Sequence, residues 1–300
     1  MQVSNYLSRC VLGTAGLGGV WGKIDKEESV RTVLLALESG ITSIDTAPAY
    51  GDAEELVGIA LRRWHGPVPM ISTKIGRLKS YDATEGIYDY SSAGLEKSIA
   101  NSLETLGVST LDILFLHDPS AMPHTRTEKI LAQLLKFKKK GYTKKIGVGV
   151  NSAEQYMKYI AGETFDIIME FNCLDICCWN DFDTILFFYQ SHGLELYIAS
   201  PLHMGLMGNR FGNYIASPPA WLDKDNIERA KLIKNISDKH QLPLHSLAHR
   251  FLLSVGGDFK IVIGPSDTDQ LRETIADICE GPLPTAIFEE IINLKTLQVK

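Results

Sequence analysis

Four proton-active side chains lie at or just after the ends of three short predicted strands. Asp45 ends one strand and is followed five residues later by Tyr50, Lys74 lies at the end of the next, and His117 follows the third. A free phenol has a pKa of about 10, and a neighbouring ammonium group favours its ionised form. A carboxylate can hold that ammonium group in place, and the histidine can orient a reacting oxygen. The four residues therefore predict acid/base chemistry with Tyr50 as the proton-exchanging group.

Each of these residues also has an ordinary structural interpretation. A lysine at a strand end is commonly ion-paired, a tyrosine before glycine commonly packs, and a histidine before Asp-Pro commonly lies in a turn. Their joint placement on successive strand ends favours catalysis, because the carboxyl ends of the strands of a parallel barrel meet at one rim.

The elements that must position these residues alternate along the chain. Several of the apolar runs are continuously apolar, as expected for strands of a parallel sheet that is covered on both faces. The predicted strands are Val11–Leu12, Ser43–Asp45, Met70–Thr73, Asp112–Leu116, Lys145–Val148, Asp166–Glu170, Glu195–Ala199 and Ile261–Ile263. The predicted helices are Glu27–Ser39, Ser92–Leu106, Thr127–Lys140, Asp181–His192, Lys224–His240, Leu244–Ser254 and Thr268–Cys279.

Eight such β-then-α units predict one α/β domain over residues 1–300, a (β/α)8 TIM barrel. A doubly wound open sheet is the alternative. Two irregular stretches, 79–91 and 203–221, follow the third and seventh strands, on the face where barrels place their active sites. Aromatic and polar residues of this rim are candidates for the substrate pocket. They are Trp21, Tyr50, His117, His203, Met204, Phe211 and Trp221.

Composition narrows the function classes. The 300 residues are 45% hydrophobic and 22% charged with a net charge of -6, which argues against nucleic acid as a main partner. The basic run Lys136–Lys140 is typical of a solvated helix end. The amino-terminal segment lacks the pattern of a secretory signal, and no apolar run is long enough to span a membrane.

The five cysteines support a cytoplasmic protein with reduced thiols, because their number is odd and their spacing irregular. Cys173, Cys177 and Cys178 have no paired C-x-x-C motif or local histidine to complete a tetrahedral set. We therefore expect buried thiols and no metal.

The strand-end residues resemble the catalytic tetrad of the aldo-keto reductases, and the resemblance runs from Gly13 to Thr274. The strings that carry it are Asp45-Thr46-Ala47-Pro48-Ala49-Tyr50-Gly51, Ser72-Thr73-Lys74 and Leu116-His117. Other strings are similar to the branch that contains D-threo-aldose (fucose and galactose) 1-dehydrogenases and pyridoxal 4-dehydrogenases. They are Asp89-Tyr90-Ser91, His117-Asp118-Pro119, Gly147-Val148-Gly149-Val150-Asn151 and the region of Asn172.

The resemblance implies that Tyr50 is the general acid/base, that Lys74 tunes it through Asp45, and that His117 positions the substrate oxygen. Hydride would pass directly between C4 of the nicotinamide of NAD or NADP and the substrate carbon. The carboxamide would be held by Asn151 and by Asn172 or Glu170, although Asn151 is equally typical of a turn before a helix. The diphosphate would lie along Ser200, Leu202 and Met204. Further implied cofactor contacts are Gly13, Thr14, Asp45, Gly264, Ser266, Asp267, Gln270 and Thr274.

The chain departs from the family pattern at three places. Ser266 followed by Asp267 replaces the arginine or lysine that meets a 2′-phosphate in many members, which favours NAD, although Arg272 is near in sequence. Ala199 ends the seventh strand where an aromatic residue often flanks the nicotinamide, so stacking must come from elsewhere. The Gly51–Glu55 loop is shorter than the common form.

We therefore expect an NAD(P)-dependent dehydrogenase or reductase acting on a small carbonyl or alcohol substrate. A sugar or a pyridoxal-like ring suits the aromatic candidates of the rim, and oxidation of an aldose at its anomeric carbon would yield a lactone. Two alternatives remain open at this point. One is a non-redox lyase, epimerase or dehydratase on the same barrel, and the other is a cofactor-sensing regulatory subunit.

Overall fold

A computed structural model describes residues 6–150 and 164–296, and its centre is a closed barrel of eight parallel strands. Each strand pairs with the next along the chain, and the last pairs with the first. The strands are β1 (Cys10–Gly13), β2 (Ser43–Asp45), β3 (Met70–Ile75), β4 (Leu111–Leu116), β5 (Thr143–Val150), β6 (Ile167–Phe171), β7 (Glu195–Ala199) and β8 (Lys260–Ile263). The predicted (β/α)8 barrel is confirmed, and the open sheet is excluded.

Ten α-helices surround the strands within the described ranges. They are α1 (Lys26–Glu38), α2 (Ala53–Arg63), α3 (Ser92–Leu106), α4 (Thr127–Lys139), α5 (Phe182–Ser191), α6 (Phe211–Ala216), α7 (Lys224–His240), α8 (Leu244–Ser254), α9 (Thr268–Cys279) and α10 (Thr285–Ile292). The sequence did not predict α2, α6 or α10. The segment that the sequence treats as a Gly51–Glu55 loop is shorter, because α2 already begins at Ala53.

Strand alternation divides the side chains between two apolar cores. Because successive residues of a strand face opposite sides, every second one points into the barrel. The cluster inside the barrel comprises Val11, Ile113, Phe115, Ile167, Met169, Tyr197, Ala199 and Val262. The larger cluster packs the outer face of the sheet against the helices. Among the described residues, no helix is long and apolar enough to cross a membrane.

The loop that carries Tyr50 is fixed by a close backbone approach. A Cβ atom added to Gly18 would lie 1.6 Å from the Tyr50 carbonyl oxygen, so only glycine fits there. Gly51 follows with a φ of 59°, a left-handed conformation that glycine adopts at little cost. The Asp52 N–H donates a hydrogen bond of 2.9 Å back to the Gly18 carbonyl. The β1–α1 connection therefore sets the height of Tyr50 at the barrel mouth.

The Asp52 carboxylate holds a second loop against the loop that carries Tyr50. Asp52 Oδ2 lies 2.7 Å from Lys26 Nζ, and Asp52 Oδ1 lies 2.7 Å from Lys79 Nζ and accepts a hydrogen bond from the Tyr81 hydroxyl. The irregular segment after β3 is therefore held against the loops that follow β1 and β2.

Candidate active site

A buried ion pair lies at the carboxyl ends of β2 and β3. Lys74 Nζ contacts Asp45 Oδ2, and it also donates a hydrogen bond of 3.0 Å to the Thr46 carbonyl. Ser72 donates to the other Asp45 oxygen at 2.7 Å. Both charged side chains are almost fully shielded from solvent, so the pair is held rigidly by its partners. The sequence places Asp45 and Lys74 together, and the structure does so as well.

Tyr50 and His117 complete the arrangement above this pair. Lys74 Nζ lies 4.7 Å from the centre of the Tyr50 ring. The Tyr50 and His117 rings meet edge to face, with centroids 5.7 Å apart and planes at 87°. The Tyr90 hydroxyl fixes the turn after β4 by donating to the carbonyl oxygens of His117, at 2.7 Å, and Asp118, at 2.8 Å. All four residues of the predicted set therefore meet at one rim.

Burial governs the ionisation of these groups. Burial raises the pKa of the Tyr50 phenol above its ordinary value, and the Lys74 ammonium opposes this without reversing it. Lys74 thus acts on the Tyr50 pKa in the expected direction, but burial outweighs it. Burial acts to lower the pKa of Lys74, but the Asp45 carboxylate outweighs it and the net direction is upward. Burial and the charges of Lys74 and Arg77 hold the pKa of His117 well below its ordinary value. The site thus contains a neutral phenol, an ammonium group and a neutral imidazole.

A long cleft of about 850 Å³ runs from this rim towards β8 and its neighbouring helices. This volume lies within the roughly 300–1,000 Å³ typical of ligand sites. Small residues and backbone turns form much of its wall. Those among the predicted cofactor contacts that line it are Gly13, Asp45, Ser200, Leu202, Met204, Gly264, Ser266, Gln270 and Thr274. An extended dinucleotide with its reactive ring beside Tyr50 fits this shape.

The turn after β7 is built to approach a ligand with its backbone. Ser200, His203 and Met204 have φ values of 65°, 48° and 54°, which are strained for residues with a Cβ atom. Gly205 follows at 92°, and the Ser200 hydroxyl accepts a hydrogen bond of 2.9 Å from the Met204 N–H. Arg210 also lines the cleft here and supplies a positive charge that the sequence analysis did not identify. This turn suits a diphosphate group.

Two predicted cofactor contacts, Glu170 and Thr14, face away from the cleft and require correction. Glu170 points outwards from β6, because its neighbours Met169 and Phe171 take the inward positions of that strand. Its carboxyl accepts hydrogen bonds from the Tyr189 hydroxyl and from Cys173, at 3.0 Å for the latter. Thr14 is fully buried and donates 3.1 Å to the Asp45 carbonyl, so it supports the ion pair rather than a ligand.

The two predicted asparagines differ in what can be said of them. Asn172 is not among the residues that line the cleft. Its Oδ1 accepts a hydrogen bond from the Ser200 hydroxyl at 3.3 Å, and its Nδ2 lies 3.4 Å from His203 Nε2. Asn151 lies outside the described residues.

The far end of the cleft also differs from the prediction. Both Asp267 oxygens accept hydrogen bonds from Gln270, one from its N–H at 2.8 Å and one from its amide at 3.2 Å, so this carboxylate caps α9. Glu273, nearly two turns further along the chain, lines the cleft instead. Arg272 pairs with Asp269 at 2.9 Å on the exposed side of the helix. Glu273 was missed because the sequence does not show which face of α9 borders the cleft.

The predicted substrate pocket is only partly assembled. Trp21 lines the cleft together with Tyr50, and His117 contacts the Tyr50 ring. His203 is buried away from the cleft, with Nδ1 2.7 Å from Asp175 Oδ2. Trp221 packs edge-on against Tyr214, at 5.7 Å between ring centres, and not against the cleft.

Phe211 is the last predicted pocket residue. Its side chain packs against the main apolar core and does not line the cleft. His203, Phe211 and Trp221 are therefore corrected to structural positions. The turn after β7 directs its backbone, rather than these rings, towards the ligand.

An aromatic face that the sequence analysis did not name lies beside Ala199. Phe171 and Ala199 are register partners on β6 and β7, and both line the cleft. The Phe171 side chain is large, yet 37% of the residue remains exposed. Counting alternate residues from Met169 could have identified it, since both face inwards.

Comparison with known proteins agrees with the expected family. The aldo/keto reductase family model matches residues 9–295. The NADH-specific methylglyoxal reductase of Escherichia coli (strain K12) is 28% identical over 294 residues, covering 90% of this chain and 89% of that protein. The L-galactose dehydrogenase of Arabidopsis thaliana is 28% identical over 283 residues, covering 89% of this chain and 83% of that protein. Sugar and pyridoxal dehydrogenases are thus both among its relatives, as the branch resemblance predicts.

Solved structures support the same architecture. The glycerol dehydrogenase from Gluconobacter oxydans matches with a TM-score of 0.77 at 24% identity, covering 97% of this chain and 92% of that chain. At this identity the likeness bears on the fold alone, and it agrees with the barrel described above.

Proposed function

We propose that this chain, which belongs to the aldo/keto reductase family, interconverts an aldose and its lactone, or the corresponding alcohol and carbonyl of a similar polar ring. As a family member it is an NAD(P)-dependent oxidoreductase that acts on carbonyl or CH–OH groups. The observation that carries the proposal is the buried Asp45–Lys74 pair, which lies against Tyr50 and faces His117 across the Tyr50 ring.

The roles of the four side chains follow from their positions. In reduction, Tyr50 donates its hydroxyl proton to the substrate oxygen as the carbonyl carbon receives hydride. In oxidation, the same oxygen takes the proton of the substrate hydroxyl. Lys74 stabilises the phenolate that forms in between, and Asp45 keeps the ammonium group beside the ring. His117, neutral and buried, donates a hydrogen bond to the substrate oxygen. The nicotinamide, when bound, supplies or accepts the hydride.

The charged groups beside His117 favour a substrate rich in hydroxyls. Asp118 has a left-handed φ of 44°, which turns its carboxylate back towards His117, with 3.9 Å between Oδ1 and Nε2. Arg77 pairs with the same carboxylate at 3.0 Å, and Tyr88 donates to it at 3.2 Å. The Asp118 side chain remains 34% exposed. A carboxylate held in this way can accept hydrogen bonds from the hydroxyls of a sugar, whereas a plain aliphatic aldehyde offers it none.

We further propose that Phe171 provides the flat face for the nicotinamide. Its ring lines the cleft beside Ala199, whose methyl group leaves space on that side. Stacking of aromatic rings contributes about 0.5–1.5 kcal/mol beyond simple burial. Phe171→Ala is expected to weaken binding of the reduced cofactor roughly tenfold, as measured by fluorescence titration, through loss of stacking and of buried area. Adding Ala199→Tyr should restore much of that affinity if the two positions serve the same ring.

NAD is the proposed preferred cofactor. Ser266 brings no positive charge to the cleft, and Glu273 places a carboxylate on the same wall. A carboxylate there repels a 2′-phosphate and can accept hydrogen bonds from ribose hydroxyls. Glu273, rather than Asp267, is thus the carboxylate that favours NAD.

The test is a substrate and cofactor screen on purified protein. A panel of aldoses, pyridoxal and methylglyoxal is assayed with NAD or NADP, oxidised or reduced, by the absorbance of the reduced nicotinamide. Turnover of an aldose with NAD, with a lower KM than for the unsubstituted aldehyde, is the expected result. Chemical change of a substrate without any change in nicotinamide absorbance would instead indicate the non-redox alternative.

A further inference from the structure

Two histidines and one aspartate converge on a point at the far end of the cleft. His245 and His249 are four residues apart on α8, so they lie on one face of that helix. Their Nδ1 atoms lie 2.7 Å and 3.0 Å from the same oxygen of Asp277, Oδ2, on α9. The three atoms lie within 4.8 Å of one another. Nothing in the proposed reaction uses them.

We propose that His245, His249 and Asp277 form a binding site for a divalent transition-metal ion of the zinc class. Zinc takes nitrogen and oxygen ligands at about 2.0–2.2 Å, and tetrahedral geometry then places the ligand atoms about 3.3 Å apart. The two contacts observed here, 2.7 Å and 3.0 Å, are shorter than that by about 0.6 Å and 0.3 Å. Small side-chain rotations would therefore admit the ion. Two imidazoles and one carboxylate also leave one coordination position for water or another ligand.

The packing of the site keeps the ligands in place. His249 and Asp277 are buried between α8 and α9, and the His245 side chain is 30% exposed at the edge of the cleft. His245 and His249 both line the cleft, so the remaining coordination position can open towards it. Such a site resembles metal centres with three protein ligands and one exchangeable position more than closed structural centres.

The surrounding charges favour a cation. Glu273 lies one turn before Asp277 on α9 and lines the same part of the cleft, where its charge acts on His245. The nearby cation Arg250 is occupied elsewhere, since its guanidinium donates to the carbonyl oxygens of Gly281, at 2.9 Å, and Pro282, at 3.2 Å. From α7, Lys234 and Asp238 face this end of the cleft, and Lys234 pairs with Asp238. The net charge of the groups immediately around the proposed site is negative.

A second group of ligand-type atoms supplies the control. Asp175, Cys178 and His203 also converge within 4.8 Å, but they are enclosed by protein, and Asn226 contacts both Cys178 and His203. Cys178→Ser therefore tests whether any bound metal lies there instead.

The experiment is a zinc titration of chelator-treated, tag-free protein by calorimetry. We expect one ion per chain with a micromolar or tighter Kd, and at least roughly tenfold weaker binding in His245→Gln. His240 ends α7 and lies 2.9 Å from Glu290 rather than at the proposed site. His240→Gln and Cys178→Ser should therefore bind zinc as the wild type does. His245 is partly exposed, so its variant should fold. The zinc-dependent rise in Tm gives a second measurement, and it should be smaller in Asp277→Asn than in the wild type.

The proposal is overturned by absence of saturable binding at one ion per chain, by unchanged affinity in His245→Gln, or by loss of binding in Cys178→Ser. None of these outcomes depends on the proposed reaction, because the titration contains neither substrate nor dinucleotide.

Discussion

Replacing Tyr50 by phenylalanine removes one hydroxyl group and little else. The phenylalanine ring can keep the edge-to-face contact with His117 and its place 4.7 Å from Lys74 Nζ. The backbone of residue 50 is fixed by Gly18. The Asp45–Lys74 pair does not depend on the hydroxyl for its own contacts. The variant should therefore fold and bind the dinucleotide while lacking the proton that the reaction exchanges.

The expected loss follows from the part that this proton plays. A positioned general acid or base contributes about 10²–10⁴-fold to the rate. At about 1.36 kcal/mol per tenfold change, this corresponds to roughly 3–5 kcal/mol in the activation barrier. Because the group acts in the transition state, kcat and kcat/KM should fall together. The Kd of the reduced cofactor should change by no more than about twofold, since the ring remains.

The pH dependence of the reduction and oxidation rates also tests the role of Tyr50, because the two rates should change in opposite directions. Burial raises the pKa of Tyr50, so the phenol keeps its proton through neutral pH. Carbonyl reduction uses the protonated form and should be nearly flat up to the ordinary tyrosine range, then decline. Alcohol oxidation uses the ionised form and should increase with pH over the same range. Steady-state rates in both directions, measured across pH for wild type and Tyr50→Phe, show whether these profiles depend on residue 50.

Tyr197→Phe is the matched control, because Tyr197 is a buried tyrosine inside the barrel that does not line the cleft. Its kinetics should match those of the wild type. If Tyr50→Phe kept more than about a tenth of the wild-type kcat, or kept both pH profiles, Tyr50 would not be the acid/base.

Three further outcomes are expected. Lys74→Met should lower the free energy of unfolding by roughly 3–5 kcal/mol, because it leaves the Asp45 carboxylate buried without its partner. Denaturant titrations measure this change, and an unchanged unfolding midpoint would contradict it. Ser266→Arg should raise kcat/KM for NADP roughly tenfold to a hundredfold, since a charged hydrogen bond contributes about 1.5–3 kcal/mol, and equal use of both cofactors by the wild type would remove the premise. Burial raises the pKa of Glu170 despite the hydrogen bond from Tyr189. Ionisation of this carboxyl therefore opposes folding, and the free energy of unfolding should fall as pH rises through the raised pKa. Glu170→Gln should abolish this pH-dependent loss of stability, measured by unfolding at several pH values, while leaving cofactor affinity unchanged. A weaker cofactor affinity would indicate that Glu170 contacts the cofactor after all.

The barrel could be predicted from sequence because its strands are marked by local pattern. Glu195–Ala199 contains the apolar run Leu196–Ala199, and the observed bounds of this strand and of Ser43–Asp45 are the predicted ones. Helix α2 was missed because Gly51 precedes it and its first turn, with Glu54 and Glu55, resembles a polar loop.

The site was predictable where the backbone alone decides the position. Asp45 and Lys74 lie at strand ends, so a parallel barrel must bring them together. Glu170 was misplaced because strand alternation, and not proximity to the rim, decides which residues face the cleft. Asp267 was misplaced because the first turn of α9 offered it hydrogen-bond donors. Groups that converge from separate helices, such as His245 and Asp277, leave no local signal.

The contacts of Asp52 also bear on how such an enzyme can be altered. One carboxylate joins Lys26, Lys79 and Tyr81, so the segments that follow β1, β2 and β3 meet at a single side chain. A library that recombines loops between relatives keeps these contacts only when the partners come from the same parent. Crossover points between positions 52 and 79 break the set, whereas points beyond residue 91 preserve it.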